Sequence, residues 1–206
     1  MIAILDYGIG NLFSVQKAFA YLGAEAVVTG GAEDVRAAER IVLPGVGAFG
    51  DCMKNLAASG LVPALTERIA AGVPLLGICV GLQMLFEGSD ESPEAKGLGI
   101  FRGRVRRIRA EGLKVPHMGW NSLRIERRGP IDLFAGLAEK PFVYFVHSYH
   151  AEPEDTSLIT ATAEYGERLT AAVAKDNICA TQFHPEKSGD VGLQILKNFI
   201  GGGDGK

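Results

Sequence analysis

One cysteine lies in a setting that is typical of an enzymatic nucleophile. Gly77–Gly81 reads Gly-Ile-Cys-Val-Gly and separates an apolar run from a short helical pattern. Glycines two residues before and after the nucleophile allow the strained strand-to-helix turn that projects its side chain above a sheet. The following helix end would favour a thiolate, and the Val80 N–H would be an oxyanion donor. The pattern predicts nucleophilic catalysis by Cys79, with a small buried core cysteine as the alternative.

A histidine near the end of the chain could be the base that this thiol needs. A thiol with a pKa of about 8.5 is only a few per cent thiolate at neutral pH, and a helix end contributes at most about 2 kcal/mol. Among the four histidines, His184 follows an apolar strand pattern and stands two residues before Glu186, with Pro185 between them. Cys79, His184 and Glu186 therefore form a predicted triad of nucleophile, base and orienting carboxylate.

Other chemistries are disfavoured by spacing. Cys52 and Cys179 have no such neighbours, and we expect them to be structural. The predicted triad lacks a paired C-x-x-C or H-E-x-x-H element, so we expect neither a metal nor a cofactor. Gly45–Gly50 matches G-x-G-x-x-G, but no strand-ending acid follows about 20 residues later, as a dinucleotide site requires. This loop is better placed to supply a second oxyanion N–H.

The composition describes one domain with a large apolar core. The chain has 206 residues, a formal net charge of −3 and 47% hydrophobic residues, which disfavours disordered, collagen-like and disulfide-scaffold proteins. The apolar run Val73–Phe86 is too short for a membrane span, and few cysteines with no signal-like N-terminus favour the cytoplasm. The arginines of the segment 102–109 are expected to form a solvated strand face, with a partner or phosphate contact as the alternative.

Hydrophobic periodicity predicts an α/β fold. Buried strands and amphipathic helices alternate in the first half, and paired short strands follow Gly97. The predicted strands of the first half are Met1–Asp6, Ala26–Thr29, Arg40–Leu43 and Pro74–Ile78, and the predicted helices begin near Asn11, Ser59 and Ser188. We expect an open, mostly parallel twisted sheet with helices on both faces and added antiparallel strands. Residues 1–201 would form a single domain, and residues 202–206 a flexible tail.

The motifs resemble those of a known family. Residues 77–83 and 184–186 resemble the class I glutamine amidotransferases, in which cysteine attacks the side-chain amide of glutamine. Lys187, Ser188 and four further segments resemble the subfamily of glutaminase subunits from imidazole glycerol phosphate synthases. These segments are Asp6–Asn11, Pro44–Phe49, Pro116–Asn121 and Tyr144–Tyr149. The resemblance covers residues 1 to about 201 and implies a flavodoxin-like sheet.

Roles for individual residues are implied by this resemblance. Cys79 would form a glutamyl thioester, His184 would protonate the departing ammonia, and Glu186 would hold the imidazole. The N–H groups of Val80 and Val46 would stabilise the oxyanion. The positions that match substrate-binding residues are Gly47, Gln83, Glu91, Ser148 and Tyr149, and those at the subunit interface are Asn11, Trp120 and Lys187.

A separate partner is also implied. A (β/α)8 synthase subunit would receive the ammonia in a heterodimer and make imidazole glycerol phosphate and aminoimidazole carboxamide ribonucleotide for histidine biosynthesis. The sequence offers no acceptor site of its own, and we expect neither a nucleic acid nor a membrane partner. The alternatives are the glutaminase of another synthase, such as pyridoxal phosphate synthase, a cysteine hydrolase of the same fold, and a catalytically silent binding module.

A separate glutaminase benefits from being silent until its partner is loaded. The Val80 N–H belongs to the turn itself, so the adjustable oxyanion donor should be the Val46 N–H. Gly45, which precedes it, carries no side chain and lets the intervening peptide reorient cheaply. We therefore expect low glutaminase activity in the isolated chain.

Overall fold

The computed structural model describes residues 1–201 as strands and helices in alternation, and the residues predicted as the tail lie outside this range. The strands are β1 (Ile2–Leu5), β2 (Ala26–Thr29), β3 (Arg40–Leu43), β4 (Leu75–Ile78), β5 (Gly88–Ser89), β6 (Gly103–Arg107), β7 (His117–Ser122), β8 (Arg124–Ile125), β9 (Phe142–His147), β10 (Tyr149–Pro153), β11 (Ile159–Glu164), β12 (Arg168–Lys175) and β13 (Ile178–Thr181). The α-helices are α1 (Leu12–Tyr21), α2 (Ala32–Ala37), α3 (Phe49–Ala58), α4 (Val62–Ala70), α5 (Val80–Gln83) and α6 (Gly189–Gly201). Two 3₁₀ turns cover Thr156–Leu158 and Pro185–Lys187.

An eight-stranded sheet forms the centre of the molecule, in the order β2-β1-β3-β4-β13-β12-β11-β8. The first five strands are parallel, and β12, β11 and β8 continue the sheet in antiparallel pairs. The parallel part has the flavodoxin-like order, in which the chain reverses direction across the sheet next to β1. This confirms the predicted fold class.

The parallel strands are buried on both faces because helices cover them. β1, β3 and β4 carry apolar residues almost throughout and are buried apart from one end of β3. Helix α1 contacts α6, and α2 contacts α4. The connection that carries α1 runs from β1 to β2, whereas those that carry α2 and α4 run the other way across the sheet, from β2 to β3 and from β3 to β4. Right-handed crossovers in opposite directions place α1 on one face and α2 and α4 on the other. Within residues 1–201, no helix combines the length and apolarity needed to cross a membrane.

The helix predicted to begin at Ser59 was misplaced by three residues. Ser59 ends α3, Gly60 follows in the left-handed region with φ 73°, and α4 begins at Val62. Because the turn between α3 and α4 is so short, the helical pattern alone does not define the residue at which α4 begins. The sequence prediction also omitted α2, α3, β5 and β10.

Arg104 and Arg106 of β6 lie on a partly exposed face and are paired with acidic side chains of the same chain. Arg104 and Arg106 both bind Asp90, at 2.6 and 3.2 Å, and Arg106 also binds Glu152 at 2.9 Å. Exposed pairs of this kind contribute about 0–1 kcal/mol each. The pairing favours the expected solvated face, because the charges of Arg104 and Arg106 are balanced by acidic groups within the chain.

Gly81 should be the glycine least tolerant of alanine in the central layer. A Cβ at Gly81 would lie 1.9 Å from the Leu43 carbonyl oxygen, whereas a Cβ at Gly201 would meet nothing within 4 Å. Gly81→Ala is expected to lower the free energy of unfolding by about 3 kcal/mol, because backbone must move to admit the methyl group. The matched control Gly201→Ala should stay within about 0.5 kcal/mol. Urea denaturation measures both, and equal stabilities would contradict the close approach.

Candidate active site

A cavity of about 610 Å³ lies at the carboxyl ends of the parallel strands β1, β3, β4 and β13. Ligand sites of open α/β sheets occur at this edge, where the loops after successive strands converge. Most residues that the sequence and the resemblance single out line this cavity, namely Asn11, Val46, Gly47, Cys79, Val80, Gln83, Glu91, Ser148, Tyr149, His184 and Lys187. Glu186 lies behind His184, and Trp120 is 56% exposed on β7, outside the lining.

Cys79 occupies the turn between β4 and α5. Its backbone has φ 55° and ψ −111°, a conformation that residues other than glycine rarely adopt. The flanking glycines are required by close approach, since a Cβ at Gly77 would lie 3.0 Å from the Ala180 Cβ and the Gly81 oxygen. The side chain is 4% exposed and lines the cavity. The strained turn therefore presents the thiol to a small ligand within the cavity.

His184 and Glu186 follow β13 and form a buried pair. His184 Nδ1 and Glu186 Oε1 are 2.8 Å apart, and the two side chains are only 2% and 1% exposed. Burial lowers the pKa of His184, but hydrogen bonding and charge interactions with Cys79 and Glu186 outweigh it and raise the pKa to about 10. His184 is therefore held as an imidazolium beside the thiol, which favours the thiolate.

The second ring nitrogen of His184 stays free to exchange a proton. Nε2 is buried, and among residues 1–201 it has no partner that satisfies hydrogen-bond geometry. A buried polar atom without a partner is unfavourable in a folded protein, and such atoms are common where a ligand is to be bound. With Nδ1 engaged by Glu186, Nε2 is the atom that can take or give a proton in the cavity.

The helix that follows Cys79 is short, as its sequence pattern predicts. α5 spans only Val80–Gln83. A single turn of helix aligns few peptide dipoles, so its N-terminus contributes little to thiolate stabilisation. The groups around Cys79 must supply most of the activation.

The two predicted oxyanion donors do not converge in this structure. The Val80 N–H donates to the Gly45 carbonyl oxygen at an N···O distance of 3.3 Å. In a trans peptide the N–H of the next residue points opposite to that carbonyl, so the Val46 N–H is directed away from Val80. The cavity therefore has one engaged donor and one donor that faces elsewhere.

Two side chains that sequence reasoning left without a catalytic role hold the remaining carbonyl groups of this loop. The Tyr7 hydroxyl donates to the Pro44 oxygen, and the Cys52 thiol donates to the Val46 oxygen at 3.3 Å. Burial raises the pKa of Tyr7 and raises that of Cys52 to about 11, so both remain protonated donors. Cys52 is structural, as expected, but what it supports is the loop beside the nucleophile.

One wall of the cavity contains the Tyr149 carbonyl, to which two side chains donate hydrogen bonds. Gln83 Nε2 donates to this oxygen at 3.0 Å, and His147 Nδ1 donates to it at 2.8 Å. Glu91 accepts a hydrogen bond from the Phe49 N–H at 2.8 Å, at the N-terminus of α3, where a carboxylate is favourable. The side-chain amide of Gln83 is thus already engaged, and only its oxygen is left for a ligand.

A second histidine supports this wall, and sequence reasoning missed it. His117 Nδ1 lies 3.0 Å from His147 Nε2, and its ring stacks between Phe145 and Tyr165. The Tyr149 carbonyl can only accept, so His147 donates from Nδ1 and accepts from His117 at Nε2. Burial keeps both rings neutral, lowering the pKa of His117 to about 4 and that of His147 to about 3. The pairing of β7 with β9 creates this contact, and local spacing carries no signal of it.

No group of three or more histidine, cysteine, aspartate or glutamate side chains in residues 1–201 is arranged to hold a metal ion.

The chain is similar to known proteins in both sequence and fold. The sequence profile described as glutamine amidotransferase class-I matches residues 3–201. A Syntrophotalea carbinolica protein described as imidazole glycerol phosphate synthase subunit HisH is 54% identical over 205 residues, which cover 97% of this chain and 98% of that protein. A Geobacter sulfurreducens protein of the same description is 55% identical over 204 residues, covering 96% and 97%. The structure of PurLQS from Thermotoga maritima is similar in fold, with a TM-score of 0.76, 19% identity and 97% coverage of each chain.

Iodoacetamide should modify Cys79 at neutral pH and leave the other two cysteines intact. Burial raises the pKa of Cys52 to about 11 and raises that of Cys179 as well, whereas Cys79 lies beside a charged imidazole. Because the thiolate is the reactive form, we expect at least about 10²-fold faster modification of Cys79. Peptide mapping by mass spectrometry gives the three rates, and equal labelling would contradict the assignment of Cys79 as the nucleophile.

His117 and His147 should make the fold sensitive to acid. Their pKa values lie below the unfolded value of about 6.5, so the unfolded chain binds protons first as the pH falls. The stability they contribute is complete above that pH. It is lost from about pH 6.5 down to about 4 for His117 and about 3 for His147, at up to about 1.4 kcal/mol per pH unit for each histidine. His117→Gln should reduce this slope by one histidine's share, as measured by denaturant unfolding at several pH values. An unchanged slope would show that His117 does not titrate in this way.

Proposed function

The chain belongs to the class I glutamine amidotransferase family, and we propose that it is the glutaminase subunit of an imidazole glycerol phosphate synthase. The observation that carries this proposal is the shared cavity of Cys79 and His184, with Glu186 bound to the far side of the imidazole. The two relatives described as this subunit match nearly the whole chain. The three cysteines are free, which is typical of proteins in a reducing compartment. We therefore propose the cytoplasm as the location of this protein.

The reaction begins with the Cys79 thiolate and the His184 imidazolium. The sulfur attacks the side-chain carbonyl carbon of glutamine and forms a C–S bond. As the C–N bond breaks, the proton on His184 Nε2 passes to the leaving nitrogen, which departs as ammonia. The products of this half-reaction are a glutamyl thioester on Cys79, a neutral His184 and ammonia.

Water completes the cycle by the reverse assignment of roles. Neutral His184 accepts a proton from the attacking water at Nε2, and the C–S bond breaks to release glutamate. This step regenerates the thiolate and the imidazolium. Glu186 keeps the ring in one orientation through both half-reactions, because its hydrogen bond to Nδ1 leaves Nε2 toward the cavity.

The oxyanion hole forms when the Gly45–Val46 peptide rotates. Rotation breaks the hydrogen bond from the Val80 N–H to the Gly45 oxygen and turns the Val46 N–H toward the cavity. Both donors then face the carbonyl oxygen of the bound glutamine. A Cβ at Gly45 would lie 2.8 Å from the Gly81 nitrogen and 3.0 Å from the Val80 Cβ, so glycine is needed for close approach as well as for rotation.

The face presented by β7 and β9 fits a protein partner. Met118, Trp120 and Phe142 are 63%, 56% and 56% exposed. They share one side of the two-stranded sheet, since Trp120 pairs with Tyr144 and Met118 pairs with Val146. Exposed apolar patches of this kind mark interaction sites.

This face borders the mouth of the cavity. Val146, which is on the same side of β9, lines the cavity together with Asn11 and Lys187. A (β/α)8 synthase subunit docked here would close the mouth and receive the ammonia. In this proposal the partner, and not this chain, makes imidazole glycerol phosphate and aminoimidazole carboxamide ribonucleotide for histidine biosynthesis.

Substitutions in the three residues should differ in severity. Cys79→Ala and His184→Ala are each expected to lower glutamine turnover by more than about 10⁴-fold, because members of such a triad act as a unit. Glu186→Gln should be milder than His184→Ala by about 10²-fold, since an amide still orients the imidazole but stabilises its charge less. Ammonia release by each purified variant with its partner measures this order. The reverse order of Glu186 and His184 would give Glu186 a different role.

The loaded partner should raise the rate of glutamine turnover by about as much as one additional oxyanion donor would. The isolated chain is expected to hydrolyse glutamine about 10²–10³-fold more slowly than the complex loaded with the nucleotide ligand. Gly45→Ala should abolish this stimulation while Cys79 still reacts with iodoacetamide. The isolated chain given glutamine and the ribonucleotide should form no imidazole product. An isolated chain as fast as the loaded complex, or product from it, would refute the proposal.

A further inference from the structure

Gln182 is a fully buried polar residue that the mechanism above does not use. It lies directly after β13, two residues before His184, and is 0% exposed. Its Nε2 atom lies 3.7 Å from the Cys79 sulfur, within hydrogen-bond range for sulfur. Burying a carboxamide is unfavourable unless its hydrogen bonds are satisfied, so its partners decide what it does.

A chain of hydrogen bonds determines which end of the Gln182 amide faces the sulfur. The Tyr149 carbonyl can only accept, so the Gln83 atom 3.0 Å from it must be the amide nitrogen. The same nitrogen lies 3.0 Å from the side chain of Gln182 and must donate to its oxygen. The nitrogen of Gln182 is therefore left facing Cys79.

We propose that Gln182 is a further catalytic residue, which donates an amide hydrogen to the Cys79 sulfur and stabilises the thiolate. The inference rests on the proposed role of Cys79 as nucleophile, and on no particular substrate or partner. A hydrogen bond to a charged acceptor is stronger than one to a neutral acceptor, so the bond strengthens as the thiol ionises. An amide does not titrate, and the donor is present at every pH.

The neighbours of the sulfur make this donor useful. Several titratable groups lie in or beside the cavity that Cys79 lines: His184, Glu186 and Lys187 after β13, His147 on β9, Tyr149 on β10, Tyr7 after β1, Cys52 on α3 and Glu91 after β5. Tyr7 and Cys52 hydrogen-bond to the loop carbonyls, and α5 is a single turn. Gln182 supplies a neutral donor in addition to the charged ring of His184.

The pH dependence of Cys79 reactivity tests the proposal. Gln182→Met keeps the length of the side chain and removes the donor, and Gln194→Met makes the same change on α6, where the amide binds Asn198. Iodoacetamide modification of Cys79 is followed by peptide mapping at several pH values. We expect the midpoint for Gln182→Met to rise by about one pH unit and that for Gln194→Met to stay unchanged. Equal midpoints in a folded Gln182→Met protein would overturn the proposal.

A second measurement leaves Gln182 in place and avoids any failure of the variant to fold. In ¹⁵N spectra of the whole chain, the Gln182 side-chain amide should shift along the titration of Cys79. The same signal should stay constant over that pH range in Cys79→Ser. A chemical shift of the Gln182 amide that does not change as Cys79 ionises would also overturn the proposal.

Neither measurement requires glutamine or the partner subunit, so the two proposals can fail separately. A wild-type complex that releases no ammonia from glutamine, combined with a raised midpoint in Gln182→Met, would refute the proposed function and support the role of Gln182. Full glutaminase activity with equal midpoints would do the opposite.

Discussion

The strained turn at Cys79 is the constraint on which the rest of the site depends. A non-glycine residue at φ 55° persists only if its surroundings hold it there. Here β4 is hydrogen-bonded between β3 and β13, and Gly81 lies so close to the Leu43 carbonyl that no side chain fits. The turn is therefore locked against the neighbouring strand, and the loops after β3 and β13 place Val46 and His184 relative to it.

The backbone carbonyls beside the turn have hydrogen-bond donors, whereas one ring nitrogen of His184 has no partner on the side of the cavity. Tyr7, Cys52 and Val80 occupy the three successive carbonyls of residues 44–46. His184 is held by Glu186 at one ring nitrogen and is free at the other. Since a buried polar group without a partner is unfavourable, a ligand that reaches His184 Nε2 gains a bond that the empty cavity cannot make.

The hydrogen bond between Val80 and Gly45 can link catalysis to partner binding in the proposed function. The Val80 N–H is engaged by Gly45, so the oxyanion hole requires a rearrangement of a single peptide. A partner on the β7–β9 face would lie next to the cavity through Val146. Its binding can favour the rotated peptide only by contacts that differ between the two arrangements, and these contacts would be at the rim formed by Asn11 and Lys187.

The sequence by itself determined the alternating strands and helices, the nucleophile turn, and the pairing of His184 with Glu186, because each depends on neighbours a few residues away. It also indicated the family, whose motifs are local. Only the tertiary structure decided the state of the Val80 N–H, the supporting pair of His117 with His147, and the contacts of Gln182. Gln83 and Gln182 are 99 positions apart and meet because α5 and β13 converge at one sheet edge. Long-range packing of this kind decides whether a buried amide hydrogen-bonds to a sulfur, to a carbonyl or to no other group. Residue type and spacing along the sequence do not reveal it.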